Sequence, residues 1–139
     1  MKYFVLDCSV TMGWVLEDEK TDYTEAVLDS LAENRAIVPS LWELEVSNVL
    51  IVAERRGRIT QAQTTHALSL LSALPIVVDP LVPKRMLATV SALAREHQLS
   101  AYDAAYLELA LREGAAIATL DRKLERIALK CGVAIYKKS

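Results

Sequence analysis

Residues 2–7, Lys-Tyr-Phe-Val-Leu-Asp, form a short apolar run that ends on a carboxylate. An unbroken apolar run of this kind is typical of a strand that is buried on both faces of a parallel sheet. Asp7 would lie at the carboxyl end of that strand, where open parallel sheets bind their ligands. The run therefore predicts the first strand of an α/β fold and a polar residue at its functional edge.

The rest of the chain alternates helical patterns with short apolar runs. Further strands are expected at residues 36–39, 76–79 and 116–119, with a last one at 133–136. Helices are expected at residues 9–17, 21–34, 40–56, 60–74, 83–97, 102–113 and 122–130. Strands separated by helices imply right-handed crossovers and a mostly parallel sheet that is covered on both faces.

The composition favours a single domain over residues 1–139. Hydrophobic residues make up 53% of the chain, with only 4 glycines and 4 prolines, so there is little room for linkers. Cys8 and Cys131 lie at opposite ends without a CxxC pairing. No apolar run is long enough to span a bilayer. We therefore expect a protein of the reducing cytoplasm.

The charge balance excludes a protein that holds nucleic acid through its net charge. The formal net charge is −2 and the pI is about 5.7, whereas such proteins are strongly basic. If the substrate is RNA, metal ions and local basic patches must supply the attraction.

Four acidic residues, far apart in the sequence, fall near the ends or beginnings of predicted elements: Asp7, Glu45, Asp103 and Asp121. In an open parallel sheet such positions converge beyond the carboxyl ends of the strands. Carboxylates gathered there would repel one another unless a cation neutralised them. A donor set made of oxygens alone favours Mg²⁺ or Mn²⁺ over zinc. The sequence therefore predicts a divalent-metal site.

Three of these acids also have structural explanations, which the sequence leaves open. Asp121 could cap the helix at 122–130. Asp103 could complete a capping box with Ser100, and Asp7 could be a turn residue.

Glu45 is harder to explain structurally. Ser40 and Glu43 already have the Ser-x-x-Glu pattern of a capping box at the start of its helix. Glu45 and Asn48 border the apolar stripe of that helix. We therefore expect both side chains to face a partner rather than bulk solvent.

Four stretches of the chain together resemble the PIN-domain nucleases, and among these the VapC toxins. They are Val5-Leu-Asp7-Cys-Ser9, Pro39-Ser-Leu-Trp-Glu-Leu-Glu45-Val-Ser-Asn48-Val-Leu50, Leu99-Ser-Ala-Tyr-Asp103-Ala-Ala-Tyr106-Leu and Ala118-Thr119-Leu-Asp121-Arg-Lys-Leu124. Each is weak alone, but their order and spacing are specific and cover nearly the whole length. The resemblance implies a three-layer α/β/α fold with a central, mostly parallel sheet, and Mg²⁺- or Mn²⁺-dependent hydrolysis of RNA.

The resemblance also implies roles for single residues. The catalytic and metal-binding set, for one or two ions, would be Asp7, Glu45, Asp103 and Asp121, with polar support from Ser9, Asn48 and Thr119. Asp7 and Asp103 would be the most direct ligands. Glu45 would orient or deprotonate water, and Asp121 would bind directly or through water. Cys8, where relatives often carry another small residue, would belong to the core.

Basic residues would have to bind the RNA. The candidates are Arg55, Arg56, Arg58, Lys84, Arg85, Arg122 and Lys123. For Arg55 and Arg56, a solvated helix end favoured by the dipole is an equal explanation. Some aromatic residues could stack on bases, although at helical positions they more often fill cores; these are Trp14, Trp42, Tyr102 and Tyr106. His66 and His97 lack partner motifs and are expected to be structural or surface residues.

The resemblance further implies a homodimer and a cognate VapB-like antitoxin whose tail reaches the acidic groove. Two other classes of protein fit less well. A phosphatase of the haloacid dehalogenase class needs a second aspartate two residues after the first, where this chain has Ser9. A catalytically inactive PIN-like module that only binds RNA or protein would not need all four acids.

Overall fold

A computed structural model describes residues 3–80 and 82–138 of the chain. Four short strands form one parallel sheet in the order β3-β2-β1-β4. They are β1 Tyr3–Leu6, β2 Arg35–Pro39, β3 Ile76–Asp79 and β4 Ala116–Ala118. Lys2, at which the first strand was expected to begin, lies outside the described residues.

Eight α-helices within the described ranges cover the sheet. They are α1 Cys8–Val15, α2 Asp22–Ser30, α3 Leu41–Arg55, α4 Gln61–Ala73, α5 Pro83–Arg85, α6 Ser91–His97, α7 Ala101–Glu113 and α8 Arg122–Lys130. A 3₁₀ turn, Glu17–Glu19, follows α1, and a π-helical turn, Met86–Val90, joins α5 to α6. Within residues 3–80 and 82–138, no helix has both the length and the apolar character needed to cross a bilayer.

Strand β1 is an inner strand of the sheet, with β2 on one edge and β4 on the other. Val5 pairs with Ile37 of β2 and with Ile117 of β4, and all three side chains are buried. A strand that has neighbours on both edges and helices on both faces must be apolar throughout, which explains the unbroken run Phe-Val-Leu. The predicted fold class, a three-layer α/β/α arrangement around a parallel sheet, is confirmed.

The chain changes its direction across the sheet after β3, so that β4 lies beside β1. From β1 the chain moves outward through β2 to β3, and it then returns across the sheet to β4 on the other side of β1. Right-handed crossovers put helices α1–α4 on one face of the sheet and α5–α7 on the other. A crevice therefore opens beyond the carboxyl ends of β1 and β4, at the switch point where α/β sheets bind their ligands.

Helix α7 is buried along most of its length. Residues 104–110 are all buried, and the helix contacts β1, β2 and β4. The side chain of Ser100 accepts the N–H of Asp103 at 3.0 Å at the start of the helix. Gly114 ends it in the left-handed conformation, with φ 60°. The helix is thus fixed against the sheet at both ends and along its core face.

Two expectations from the sequence are wrong. Ser40 has a helical backbone and its side chain caps no N–H, so the capping box with Glu43 does not form, because a cap requires an extended backbone. The segment 133–136 makes only one isolated parallel bridge, between Ile135 and Ile117. The chain turns directly after this bridge, at Tyr136 and Lys137, and Lys137 has a φ of 62°.

Two carboxylates and two guanidinium groups form an ionic cluster between β3, α5 and α7. Arg112 donates to Glu108 Oε2 and to Asp79 Oδ2, each at 2.8 Å. Arg85 lies 3.1 Å from Asp79 Oδ2 and 3.3 Å from Glu108 Oε1. The Glu108 side chain is only 8% exposed, so its charge depends on these partners. We call these four residues the arginine-paired cluster.

Glu108→Gln should lower the free energy of unfolding by about 2 kcal/mol, because it leaves two partly buried guanidinium groups short of one counter-charge. Urea denaturation at neutral pH measures this change. Glu125→Gln is the matched control, since the Glu125–Lys138 pair is longer, 3.8 Å, and more exposed; it should cost less than about 0.5 kcal/mol. Equal effects of the two substitutions would contradict a structural role for the arginine-paired cluster.

Candidate active site

Asp7 follows β1 directly and begins α1, yet its side chain caps no helix N–H. Its Oδ2 instead accepts two hydroxyl groups, Ser9 Oγ at 2.6 Å and Thr119 Oγ1 at 2.8 Å. The residue is only 6% exposed. Burial, and then the charge of Asp121, raise the pKa of Asp7 even though both hydroxyls oppose the shift. A turn residue needs neither burial nor two hydroxyl donors, so a role in a turn does not explain Asp7.

The loop after β4 is joined to the same site through hydroxyl groups. Thr119 Oγ1, which donates to Asp7, accepts the N–H of Asp121 at 3.0 Å. Ser9 Oγ accepts the N–H of Leu120 at 2.9 Å. Asp121 Oδ1 accepts the N–H of Leu124 at 2.9 Å, so its predicted role as the cap of α8 is confirmed. This capping bond occupies one oxygen of the carboxylate.

Glu45 reaches the site from the second turn of α3. Its Oε1 accepts the hydroxyl of Tyr106, a residue of α7, at 2.5 Å. Burial is the main cause that raises the pKa of Glu45, and the charges of Asp7 and Asp103 add to it. The expectation that Glu45 faces a partner is confirmed. Asn48, by contrast, is exposed, so the same expectation is wrong for it, because it lies on the solvent side of the helix.

Asp103 completes the group from the first turn of α7. Its backbone N–H donates to Ser100 Oγ, which is one half of the predicted capping box; the Asp103 side chain does not return a bond to the N–H of Ser100. Burial, and then the charges of Asp7 and Asp121, raise the pKa of Asp103, whereas the ammonium of Lys123 lowers it. The four acids therefore lie close enough to act on one another's ionisation. We call them the acid cluster.

The donor chemistry of the acid cluster fits a hard divalent cation. Its members are carboxylates whose charges are mutually unfavourable, and a cation between them would remove that cost. In residues 3–80 and 82–138, no three acid, histidine or cysteine side chains already converge on one point as metal ligands do. Mg²⁺ usually keeps several waters and uses only one or two carboxylates. The arrangement suits such a water-rich site better than an all-protein cage.

The basic candidates divide according to their distance from the acid cluster. Lys123 lies near the acid cluster, since its charge lowers the pKa of Asp103. Its ammonium also donates to the carbonyl of Gln98. Arg122 is its exposed neighbour on α8. Lys84 is exposed after β3, and Arg85 is held in the arginine-paired cluster.

The remaining basic candidates, Arg55, Arg56 and Arg58, lie farther from the acid cluster. Between Glu45 and Arg55 the helix α3 rises roughly 15 Å, which carries Arg55 and the adjacent Arg56 away from the acid cluster. Arg58 pairs with Asp18 at 2.9 Å. It lines a groove of about 640 Å³ between α1, α2 and α4 that none of the four acids lines.

The aromatic candidates mostly have structural contacts. Trp42 is buried and donates to Thr11 Oγ1 at 3.0 Å, and Trp14 donates to the carbonyl of Thr24 at 2.8 Å. Tyr102 alone of the four named aromatics is strongly exposed, at 64%. Cys8 is buried, and burial raises the pKa of its thiol to about 12, as expected for a core residue.

Sequence reasoning missed the hydrogen bond between Tyr106 and Glu45. The sequence indicates only a base-stacking or core side chain at this position, and the residue is indeed fully buried. Its spacing from Asp103, three residues on the same helix, places both on one face. That spacing is the signal that could have indicated a second polar group directed to the site.

Comparison with known proteins agrees with this geometry. A family model described as PIN domain matches residues 4–130. The chain is also similar to ribonuclease VapC3 of Pyrobaculum aerophilum, with 28% identity over 120 residues that cover 86% of this chain and 90% of the relative.

Three crystal structures share the fold. One, of a Pyrobaculum aerophilum protein, has a TM-score of 0.68 at 24% identity and covers 91% of this chain and 84% of that one. The second, VapBC2 of Rickettsia felis bound to a DNA fragment from its promoter, has a TM-score of 0.70 at 15% identity and covers 97% of both chains. The third, FitAcB of Neisseria gonorrhoeae, has a TM-score of 0.65 at 16% identity and covers 99% and 97%. At these identities the likeness establishes the fold.

In the metal-free protein, Asp7→Asn should raise the free energy of unfolding at neutral pH. The pKa of Asp7 is raised in the folded state, so its contribution to stability is fully present below the ordinary aspartate pKa of about 3.9 and is lost as the pH rises through the raised value. The stability advantage of the variant should therefore grow from acid to neutral pH. Urea denaturation in chelator across this pH range measures it.

Asp29→Asn, at an exposed site on α2, is the control and should show no comparable growth. An advantage of Asp7→Asn that stayed constant across the pH range would show that charge at Asp7 is not unfavourable.

Proposed function

The chain belongs to the PIN-domain family, and from its site we propose that it is a Mg²⁺- or Mn²⁺-dependent endoribonuclease that acts as the toxin of a VapBC-type toxin–antitoxin pair. The observation that carries the proposal is the acid cluster: four carboxylates from separate elements lie near one another beyond β1 and β4, and the charges of Asp7, Asp103 and Asp121 raise the pKa of acidic neighbours. A fold gains no stability from such a group. The cost is understandable if the group serves to bind a cation.

Asp7 and Asp103 would be the most direct ligands, with Glu45 and Asp121 binding directly or through water. A divalent cation held there would hold the scissile phosphate, make a water molecule more acidic and offset charge on the leaving oxygen. The two hydroxyls on Asp7 Oδ2 leave Oδ1 as the oxygen for this task. Thr119 and Ser9 therefore act as orienting residues for Asp7.

Glu45 is suited to orient the attacking water and to accept its proton. It is half-buried beside Asp7 and Asp103, and its raised pKa brings a carboxylate closer to the range in which a general base works at neutral pH. Lys123, whose charge lowers the pKa of Asp103, would contact a phosphate that approaches the acid cluster. Arg122 and Lys84 extend this basic contribution on the exposed surface.

The proposed partners follow from the same family membership. RNA is the proposed substrate, consistent with the ribonuclease among the similar proteins. A VapB-like antitoxin is the proposed inhibitor, since one structure of the same fold is named VapBC2. A homodimer in the cytoplasm is the proposed working form. Both cysteines are free, as a reducing compartment requires.

A catalytically inactive PIN-like binding module is the alternative. It would retain the fold and bind RNA or protein without cleaving RNA. The ionisable acid cluster argues against it, because a module that only bound polyanionic RNA would gain affinity by losing these carboxylates.

Asp7→Asn should lower the rate of RNA cleavage in Mg²⁺ or Mn²⁺ by roughly 100-fold or more, because it removes a charged ligand of the cation that would offset the developing phosphate charge. Gel analysis of a mixed RNA pool, with and without chelator, measures the rate. Asp29→Asn should cleave at the wild-type rate. RNA binding without cleavage by the wild type would favour the binding module, and cleavage that persists in chelator would refute metal dependence.

A further inference from the structure

We propose that Tyr106 is a positioning residue, whose hydroxyl holds the Glu45 carboxylate in one orientation toward the acid cluster. The inference rests on the proposed nuclease function and deepens it. The observation that supports it is the hydrogen bond of 2.5 Å from the Tyr106 hydroxyl on α7 to Glu45 Oε1 on α3.

Tyr106 is a fixed donor. Its side chain is fully buried, and so are its neighbours on α7 from residue 104 to 110. A ring packed in this way cannot change rotamer without disturbing the core. The direction of its hydroxyl is therefore set by the fold and not by the ligand.

Glu45 needs such a donor more than the other acids do. Its side chain has three rotatable bonds, and it is only half-buried beside Leu44, which is 76% exposed. Without a fixed partner the carboxylate would sample several positions. The bond to Tyr106 occupies Oε1 and leaves Oε2 as the oxygen that can face a water or a cation.

The hydrogen bonds to Asp7, Glu45 and Asp121 all come from neutral donors. Ser9 and Thr119 donate hydroxyls to Asp7, Tyr106 donates one to Glu45, and a backbone N–H binds Asp121 Oδ1. In contrast, the acids of the arginine-paired cluster receive guanidinium groups.

Neutral donors orient a carboxylate without cancelling its charge. A guanidinium in the place of Tyr106 would fix Glu45 equally well but would compete with a divalent cation for it. Tyr106 therefore combines orientation with a preserved negative charge, and it places the carboxylate before a cation arrives.

The test compares Tyr106→Phe with Tyr136→Phe. Each substitution deletes one hydroxyl, but the hydroxyl of Tyr136 donates to Ser30 Oγ on α2 and has no contact with the acid cluster. Mn²⁺ affinity is measured by titration calorimetry, and kcat and KM on RNA are measured in parallel. Tyr106→Phe should weaken Mn²⁺ binding roughly 10-fold and lower kcat with little change in KM. Tyr136→Phe should match the wild type in all three.

A double-mutant cycle with Glu45→Gln separates positioning from general packing. If Tyr106 acts through Glu45, its replacement by Phe should have no further effect on Mn²⁺ affinity once Glu45 is Gln. Additive losses, or an unchanged affinity in Tyr106→Phe, would overturn the proposal while leaving the nuclease assignment intact. A wild type that neither binds Mn²⁺ nor cleaves RNA would overturn both.

Discussion

The repulsion among four carboxylates is the constraint on which the site depends. Asp7 is almost wholly buried, and the charge of Asp121 makes its ionisation still less favourable, while the charge of Asp7 raises the pKa of Glu45 and Asp103. Such a group persists only where the surrounding structure over-determines it. Here that structure is the apolar strand β1, paired on both edges, and the buried helix α7. The rigidity of the core keeps an unfavourable arrangement of charge in place.

The buried and half-buried acids of this chain have two kinds of partner. Glu108, almost as buried as Asp7, is neutralised by arginines and joins β3 and α5 to α7. Asp7 and Glu45 receive hydroxyls, which orient them but leave their charges uncompensated. Burial is therefore not what separates the arginine-paired cluster from the acid cluster in this fold. The distinguishing feature is whether the partner brings a positive charge.

Much of the fold could be predicted from the sequence, because apolar runs and helix-ending glycines are local signals. Asp7, Asp103 and Asp121 could be placed for the same reason, since each follows a strand or opens a helix, and Glu45 because it borders the apolar stripe of α3. The partners of these acids could not. The bond between Tyr106 and Glu45 joins residues 61 positions apart, and the choice of arginine partners for Asp79 and Glu108 depends on how β3 and α7 pack. Ser40 shows the converse error, since its capping pattern was local but its backbone is already helical.

The strand order explains why these distant residues meet at all. Asp7 and Asp121 follow neighbouring parallel strands, so the register of β1 with β4 sets their separation, and Thr119 spans it with one hydroxyl. Glu45 and Asp103 arrive on helices from opposite faces of the sheet, because the chain reverses direction between β3 and β4. A hydroxyl donated from α7 to α3 therefore joins the two helical layers across the end of the sheet. In this chain the Tyr106–Glu45 bond is thus both a contact between layers and a fixed point of the acid cluster.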